Sequence, residues 1–292
     1  MKKLIQNIGK PFKKAADALR KFHIGSKALK GLVILASTLT FAVLIFLIAY
    51  ILIKGIPHLS PELFSLKYTT ENVSMLPAII NTLIMTVCAL VVAVPLGIFT
   101  AIYLVEYAKK GNKIVGLIRI TAETLSGIPS IVYGLFGMLF FVTYLKWGYS
   151  ILAGAATLAI MVLPLIMRTA EEALLSVPDT YREGSFGVGA GKLRTVFRVV
   201  IPSAMPGILS GVILAIGRIV GETAALIYTA GTVADVASNL FSSGRTLAIH
   251  MYVLSSEGLY TNQAYATAVV LLVFVLLINF MSSAIAKKFT SK

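Results

Sequence analysis

Long apolar runs separated by short polar stretches dominate the chain, and apolar residues are concentrated in these runs rather than spread periodically. Six runs are long enough for helices that cross a bilayer of about 30 Å, which takes about 20 residues each. The predicted spans are Gly31–Ile53, Pro77–Val105, Gly127–Leu145, Tyr149–Met167, Pro206–Thr229 and Ala264–Ala286. The pattern therefore predicts an all-α integral membrane protein.

One further apolar stretch, Ile114–Leu125, carries Arg119 and Glu123 and is too short and too charged to span a membrane. We expect it to lie along the cytoplasmic surface, before the chain turns into the membrane at Gly127-Ile-Pro129. Arg119 and Glu123 stand four residues apart, which is the spacing of an ion pair on a helix surface.

The composition fits this class, with 58% hydrophobic and 13% charged residues. The net charge of +14 first suggests nucleic-acid binding, but the basic residues follow the spans rather than forming one patch. Residues 1–30 hold nine of them, 106–119 four, 168–205 five and the C-terminal tail three, against four in the opposite loops. The positive-inside rule then predicts that both termini are cytoplasmic.

The loop 168–205 is long for a connection, and its apolar residues recur at helical spacing. Pro178-Asp179 predicts a turn and cap before one short helix, and the glycines of 187–191 predict a bend before a second helix, Lys192–Val200. Pro202 is expected to close the segment. Two interpretations stay open, a helical hairpin on the membrane surface and a docking knob for a cytoplasmic protein.

The chain offers little for chemistry of its own. The stretch GVGAGKLR resembles a phosphate-binding loop, but Phe186 and Leu193 stand where that loop needs glycine and Ser or Thr. We therefore predict no ATP site and no cofactor. His23, His58 and His250 are far apart and are expected to be solvated or interfacial, without a metal. Cys88 is the single cysteine, so no disulfide forms within the chain.

The loop nevertheless resembles a cytoplasmic motif of ABC importer permeases, of the form E-A-A-x3-G-x9-I-x-L-P. The matching positions, with small and aliphatic replacements, are Glu183, Gly184, Ser185, Gly189, Val199, Ile201 and Pro202. In that family the loop forms the coupling helix that seats in a cleft of the ATPase subunit. NTLIMT (81–86) and VPLGIFTAIYL (94–104) also look like the start of that transmembrane domain.

Two further stretches, LSGIPSIVYGLFGM (125–138) and GRIVGETAAL (217–226), resemble the phosphate-specific ABC importer, and in particular its second permease subunit (PstA type). The resemblance implies the type I ABC importer permease fold, with six transmembrane helices and a cytoplasmic coupling-helix loop. It also implies a heterodimer with a homologous permease subunit, two ATP-binding subunits, an extracytoplasmic phosphate-binding protein and a bacterial or archaeal plasma (inner) membrane.

The domain organisation follows from these observations. Residues 1–30 are a basic cytoplasmic tail, either a topology determinant or a contact for anionic lipid. Residues 31–75 are the first span and an outer loop, 76–286 the permease domain with the coupling loop 168–205, and 287–292 a cytoplasmic tail. In the outer loop 230–263, the amphipathic stretch Thr246–Leu254 is a candidate contact for the binding protein.

Arg218 and Glu222 stand four residues apart inside the fifth predicted span. A charge at the bilayer centre costs about 2.5–3.5 kcal/mol, whereas a helical pair returns only about 0.2–0.5 kcal/mol in water. The pair must therefore face protein or a water-filled cavity. On a continuous helix one face would hold both charges and small neighbours, and Gly217 and Gly221 would form a close-packing step beside them.

Two interpretations of the pair remain, a structural salt bridge between helices and a site on the substrate pathway. In the second, Arg218 offers its guanidinium fork to phosphate oxygens. Glu222 accepts the proton that phosphate carries and sulfate lacks, or it only orients Arg218. Arg168, at the cytoplasmic end of the fourth span, is a second candidate contact or a topology determinant. The alternatives in function are another oxyanion, such as molybdate or sulfate, and an ion-driven secondary transporter.

Overall fold

The computed structural model describes residues 2–109 and 111–290, with the backbone only at 2–28, 285–286 and 288–290. These residues form helices and connecting turns, and no β-strand occurs among them. They fall into two units, of which the first ends at Ile53 and the second begins at Lys54. Ser291 and Lys292 of the predicted C-terminal tail lie outside the described residues, as do the side chains of the predicted basic tail up to residue 28.

The first unit lies within helix α1, which runs from Lys2 to Gly55 and contains the first predicted span. The apolar stretch Leu29–His58, which ends just after this helix, has a mean hydropathy of 2.8, and most of its large apolar side chains are exposed. Exposed aliphatic and aromatic side chains over this length suit a lipid environment rather than water.

The second unit is built from ten helices in its described residues. In chain order they are α2 (Leu76–Ile102), α3 (Lys113–Ser126), α4 (Ser130–Gly137), α5 (Ile151–Leu175), α6 (Asp179–Gly187), α7 (Lys192–Thr195), α8 (Ile201–Val220), α9 (Ala224–Ile227), α10 (Leu247–Glu257) and α11 (Thr261–Thr290). Wider π-helical turns extend α2 over Tyr103–Tyr107 and α4 over Met138–Tyr144, and another, Val196–Val200, joins α7 to α8.

Within the described residues, five helices are long and apolar enough to cross a membrane, and a bent pair makes a sixth. That pair is α3 and α4 with its extension, which meet at an angle of 101°. The third predicted span, Gly127–Leu145, agrees with the second arm of this pair to within a few residues, since the helix begins at Ser130 after the predicted turn. Pro129 lacks an N–H and disfavours a helical conformation in the residue before it, so the chain breaks there.

The fifth predicted span, Pro206–Thr229, is shifted in the structure. One apolar helix runs over Lys192–Val220, and Pro202 does not close the segment. The π-helical turn just before Pro202 lets the helix continue, because a wider turn accommodates a missing N–H and the proline ring. The predicted second short helix, Lys192–Val200, is therefore the start of the span.

The core of the second unit lies between α2, α5 and α8, where buried side chains are mostly small or aliphatic. Helix α2 has 27 residues and is thus about 40 Å long. At its N-terminal end, Asn81 binds the segment 235–245 through its side-chain amide, with 3.0 Å to the Asp235 carbonyl and 3.0 Å from the Ala237 N–H. At its C-terminal end lies α6. The outer loop and the coupling loop are therefore at opposite ends of one helix.

Candidate functional site

Arg218 lies in the last turn of α8, which ends at Val220. Its side chain is half-buried, and no carboxylate of the described residues lies within 4.0 Å of its guanidinium. A cation at this position is favoured by the helix dipole. Arg218 is thus held without a counter-charge from the described part of the chain, so its donors are available to another group.

Glu222 does not pair with Arg218, and the prediction that the two share a helix face is wrong. The helix stops at Val220, so Glu222 lies in the break before α9, with its N–H bonded to the Ile219 carbonyl at 3.1 Å. Its side chain is 9% exposed, and its Oε1 accepts the Ala225 N–H at 3.0 Å. Glu222 therefore caps α9 instead of neutralising Arg218.

The surroundings of Arg218 differ on its two sides. The electrostatic field of its guanidinium reaches Tyr133 of α4, whose hydroxyl donates to the Leu125 carbonyl at 2.8 Å. A side chain added at Gly217 would meet no described atom within 4 Å, and one added at Gly221 would meet only the Gly217 carbonyl. The close helix contact expected at this glycine step is not made among the described residues, so this face is open.

Arg168 belongs to a polar cluster between α3 and α5. The cluster surrounds a cavity of about 240 Å³ lined by Arg119, Glu123, Arg168, Glu171, Glu172 and Leu175. Arg119 Nε donates to Glu171 Oε1 at 2.6 Å, while Arg168 lies 3.9 Å from Glu123 in a weak, exposed pair. The predicted pair of Arg119 with Glu123 is therefore wrong, and Arg218 is not among the residues around this cavity.

The structure brings the coupling-motif residues together in a hairpin, α6 and the start of α7, which we call the α6 hairpin (residues 179–200). Glu183 and Gly184 are exposed, and the Ser185 hydroxyl lies 2.8 Å from the Thr195 hydroxyl. Gly189 has φ of 84°, a conformation that costs a side-chain-bearing residue energy and fits the predicted bend. Large apolar side chains are also exposed on the hairpin, at Tyr181, Phe186, Val188, Leu193 and Phe197.

The remaining motif residues lie in the helix that follows. Val199 and Ile201 are half-buried, and Pro202 is exposed in the first turn of α8. Ile201 packs against the buried cluster that includes Leu174 and Ile208. These residues therefore fix the hairpin to the span rather than present a surface of their own.

Two contacts that anchor the α6 hairpin were not predicted from the sequence. Arg182 donates to Glu106 Oε1 through Nε at 3.1 Å and Nη2 at 2.8 Å, and to the Leu174 and Val177 carbonyls. Lys192 Nζ lies 4.9 Å from the centre of the Tyr107 ring. Both contacts reach the π-helical turn that ends α2. The sequence held one indication of these contacts, Glu106, which is a single acidic residue at the end of an apolar run.

A second unpredicted group lies at the N-terminal end of α2. His250, expected to be solvated or interfacial, is fully buried on α10, and Arg245 is 4% exposed. Among the described residues, Arg245 Nε and Nη2 are buried without a hydrogen-bond partner, and the buried ring of His250 has the Val73 backbone as its hydrogen-bonding neighbour. The reason is that α10 begins inside the fold, where the Leu247 N–H donates to the Thr82 hydroxyl at 2.9 Å.

This placement also limits the predicted contact for a binding protein. Four consecutive residues in the first turns of α10, from Leu247 to His250, are buried, and so is Leu254. Of the amphipathic stretch Thr246–Leu254, Tyr252 is exposed, and the exposed surface continues over 255–259. Within the described helix α10, it is therefore the second half, with the turn after it, that is accessible to a partner.

The burial of His250 predicts a pH-dependent stability. Burial, and then the nearby Arg245 charge, lower the pKa of His250 from 6.5 to about 3, with the Val73 backbone acting in the opposite direction. The unfolded chain takes up a proton at this histidine below pH 6.5 and the folded chain does not. The free energy of unfolding is therefore not reduced by this histidine above pH 6.5. It declines as the pH falls towards 3, by about 2 kcal/mol at about pH 5.

The measurement is the apparent melting temperature of the purified chain in detergent, in phosphate-free buffer, at about pH 7.5 and about pH 5. We expect a larger decrease for the native chain than for His250→Asn, which cannot titrate. Equal decreases in the two proteins would contradict this assignment.

Comparison with known proteins identifies a matching family model and relatives of this chain. A family model described as "Binding-protein-dependent transport system inner membrane component" matches residues 93–291. The probable ABC transporter permease protein YqgI of Bacillus subtilis (strain 168) is 33% identical over 290 residues, covering 92% of this chain and 98% of that protein. The phosphate transport system permease protein PstA 1 of Mycobacterium tuberculosis (strain CDC 1551 / Oshkosh) is 36% identical over 211 residues, 71% of this chain and 69% of that one.

A solved structure shares the fold. A chain in the crystal structure of a bacterial alginate ABC transporter, in complex with an alginate-bound periplasmic protein, superposes with a TM-score of 0.65. The match covers 90% of this chain and 97% of that chain, at 15% identity. At this identity the likeness concerns the arrangement of helices and not the substrate.

Proposed function

The chain belongs to the binding-protein-dependent transport system inner membrane components, the permease subunits of ABC importers, and from this premise we propose that its substrate is inorganic phosphate. As a multi-pass transport component of this family it is not an enzyme, and ATP is hydrolysed by a partner subunit. The proposal rests chiefly on one observation: Arg218 is half-buried at a helix break in an apolar span, without a carboxylate partner in the described residues.

An unpaired guanidinium within a membrane span needs an acceptor or water around it, because desolvating the charge is costly. Its planar fork matches the oxygens of a tetrahedral oxyanion in geometry as well as in charge. Relatives named as phosphate transport permeases, such as the mycobacterial one, support phosphate within this class. Molybdate and sulfate remain the alternative substrates. The family membership argues against an ion-driven secondary transporter.

Glu222 is the candidate for discrimination between oxyanions. Its Oε1 is engaged with the Ala225 N–H, so Oε2 is the oxygen proposed to contact a ligand. Phosphate near neutral pH carries at least one proton, which a carboxylate can accept, whereas sulfate carries none and is repelled. We propose that the pair acts on one anion, with Arg218 attracting it and Glu222 selecting the protonated form.

The test is uptake of radiolabelled phosphate by proteoliposomes that contain the complete complex, with sulfate and molybdate as competitors. Native protein is expected to prefer phosphate, and Glu222→Gln to lose most of its preference over sulfate. Glutamine keeps an oxygen that caps α9, so the variant is matched in structure. Phosphate uptake that sulfate or molybdate suppresses equally would contradict the substrate assignment, and unchanged selectivity in Glu222→Gln would exclude the discriminating role.

We propose that the open face beside Arg218 is covered by the second, homologous permease subunit. Gly217 and Gly221 line this face without neighbours from other described segments, and small residues allow close approach of another helix. Arg218 then lies at the boundary between two subunits, where each contributes half of the translocation path. Arg168 is a second candidate contact for the anion, in its polar cluster between α3 and α5.

The α6 hairpin is the proposed docking element for one of the two ATP-binding subunits. Its exposed residues include Glu183, Gly184 and several large apolar side chains, a combination that suits a groove on a protein partner. The hairpin is on the side where the basic loops 106–119 and 168–205 lie, which the positive-inside rule assigns to the cytoplasm. Both termini are then cytoplasmic, in the plasma (inner) membrane.

The opposite end of α2 then faces the extracytoplasmic side. We propose that the phosphate-binding protein docks there, against the exposed second half of α10 and the turn that follows it. Tyr252 and Leu259 are exposed in this region, where aromatic and aliphatic side chains are typical centres of protein interfaces.

A further inference from the structure

The N-terminal end of α2 contains a buried cation that the proposed pathway does not use. Arg245 is 4% exposed, and within the described residues no carboxylate lies within 4.0 Å of it. Its Nε and Nη2 are buried and lack a hydrogen-bond partner there. A charge buried in this way is strongly unfavourable unless an acceptor satisfies it.

The two unpartnered donors lie on one edge of the guanidinium. Nε and Nη2 form the side-on fork that binds two oxygens of a single carboxylate or phosphate. The face of the same group is already used, because Arg245 Cζ lies 4.7 Å from the centre of the Tyr68 ring. A guanidinium whose face stacks on an aromatic ring and whose edge is free is oriented for an oxyanion.

His250 joins this group through the same ring. Its imidazole meets Tyr68 edge-on, with 6.3 Å between the ring centres, and the Val73 backbone is its hydrogen-bonding neighbour. A neutral imidazole has one N–H donor and one acceptor nitrogen. With its N–H directed to the Val73 backbone, the other nitrogen can accept a hydrogen bond from a proton-bearing oxygen of an anion beside Arg245.

We propose that Arg245 and His250 form a second oxyanion site, at the extracytoplasmic end of the chain and separate from Arg218, which binds inorganic phosphate. The choice of phosphate rests on the proposed function. The chemistry of the pair favours an oxyanion that carries a proton, because fully ionised sulfate has no O–H to donate to the acceptor nitrogen of His250. Tyr68, in the loop 59–75, contacts both members of the pair.

The site is tested by binding, without transport. The full chain carrying Arg218→Gln is purified in detergent free of phospholipid, and binding of radiolabelled phosphate is measured by equilibrium dialysis. We expect one phosphate to bind, with sulfate competing poorly. Adding Arg245→Gln should weaken binding by about 10- to 100-fold, the effect of losing hydrogen bonds to a charged group.

Absence of phosphate binding in Arg218→Gln, or unchanged affinity after Arg245→Gln is added, would overturn the proposal. Where Arg245→Gln fails to fold, as judged by size exclusion and circular dichroism, His250→Phe in the Arg218→Gln chain, which removes the acceptor, is the second variant. It should retain binding with a reduced preference for phosphate over sulfate, and an unchanged preference overturns the site. Binding here together with absent uptake by the native complex would refute the proposed function and not this site.

Discussion

Replacement of Arg218 by alanine is expected to abolish phosphate uptake, with a decrease of about 100-fold or more, because two hydrogen bonds from a charged donor to the anion are lost. Stability should change little, since Arg218 has no ion pair with the described residues that its removal would break. The measurement is ATP-dependent uptake by the reconstituted complex, normalised to the amount of assembled complex.

Two further variants make this result specific. Arg218→Lys keeps the charge and loses the planar fork, so an intermediate rate is expected. Arg168→Ala removes an arginine whose only ion pair in the described structure is long and exposed, at 3.9 Å from Glu123, and should reduce uptake less. Near-normal uptake by Arg218→Ala would remove the basis of the proposed pathway.

Reversal of charge at Glu183 is expected to abolish uptake by another route, through loss of the ATP-binding subunits. Glu183 is exposed on α6 and has no hydrogen-bond or ion-pair partner in the described structure, so Glu183→Lys should leave the fold of this chain intact. The lysine would instead meet the partner with the wrong charge, and like-charge contacts across an interface cost several kcal/mol.

Copurification of the ATP-binding subunits with the tagged chain measures this directly. Glu172→Lys is the matched control, because Glu172 is also an exposed glutamate but lies on α5 outside the α6 hairpin. It should copurify normally. Normal copurification of Glu183→Lys would show that α6 is not the docking element, whatever its rate of uptake.

The spans could be predicted from the sequence because their signal is local. About 20 apolar residues in succession leave few structures open to a membrane segment, and the second, fourth and sixth predicted spans all fall within α2 with its extension, α5 and α11 to within a few residues. The start of α6 at Asp179 was likewise readable from the proline before it.

The ion pairs could not be predicted, because they depend on where helices end and which helices meet. Spacing of four residues assigned Glu222 to Arg218 and Glu123 to Arg119, and the structure has neither pair. A helix break after Val220 removes the first, and Glu171, 52 residues away in sequence, replaces the second. Residues 76 apart form the contact of Arg182 with Glu106. The periodicity of a sequence carries no information about contacts between residues so far apart in the chain.

The burial of Arg245 and His250 could not be predicted from the sequence for a related reason. Both lie in a loop region by hydropathy, where charged and polar side chains are ordinarily in water. The side chain of Asn81 and the hydroxyl of Thr82 draw the segment inward by hydrogen bonds to backbone more than 150 residues away. Such bonds carry no signature in the composition of the loop.

The ion pair of Arg182 with Glu106 has a mechanical consequence. Leaving either buried charge without its partner would cost about 3–5 kcal/mol, so α6 and the turn that ends α2 are expected to travel as one body. Movement of α6 would then displace the C-terminal end of α2. This helix is about 40 Å long, and Asn81 near its other end is hydrogen-bonded to the 235–245 segment. Displacement on one face of the membrane would thus reach the other along a single helix, with Pro95 in its interior as the position where it can bend.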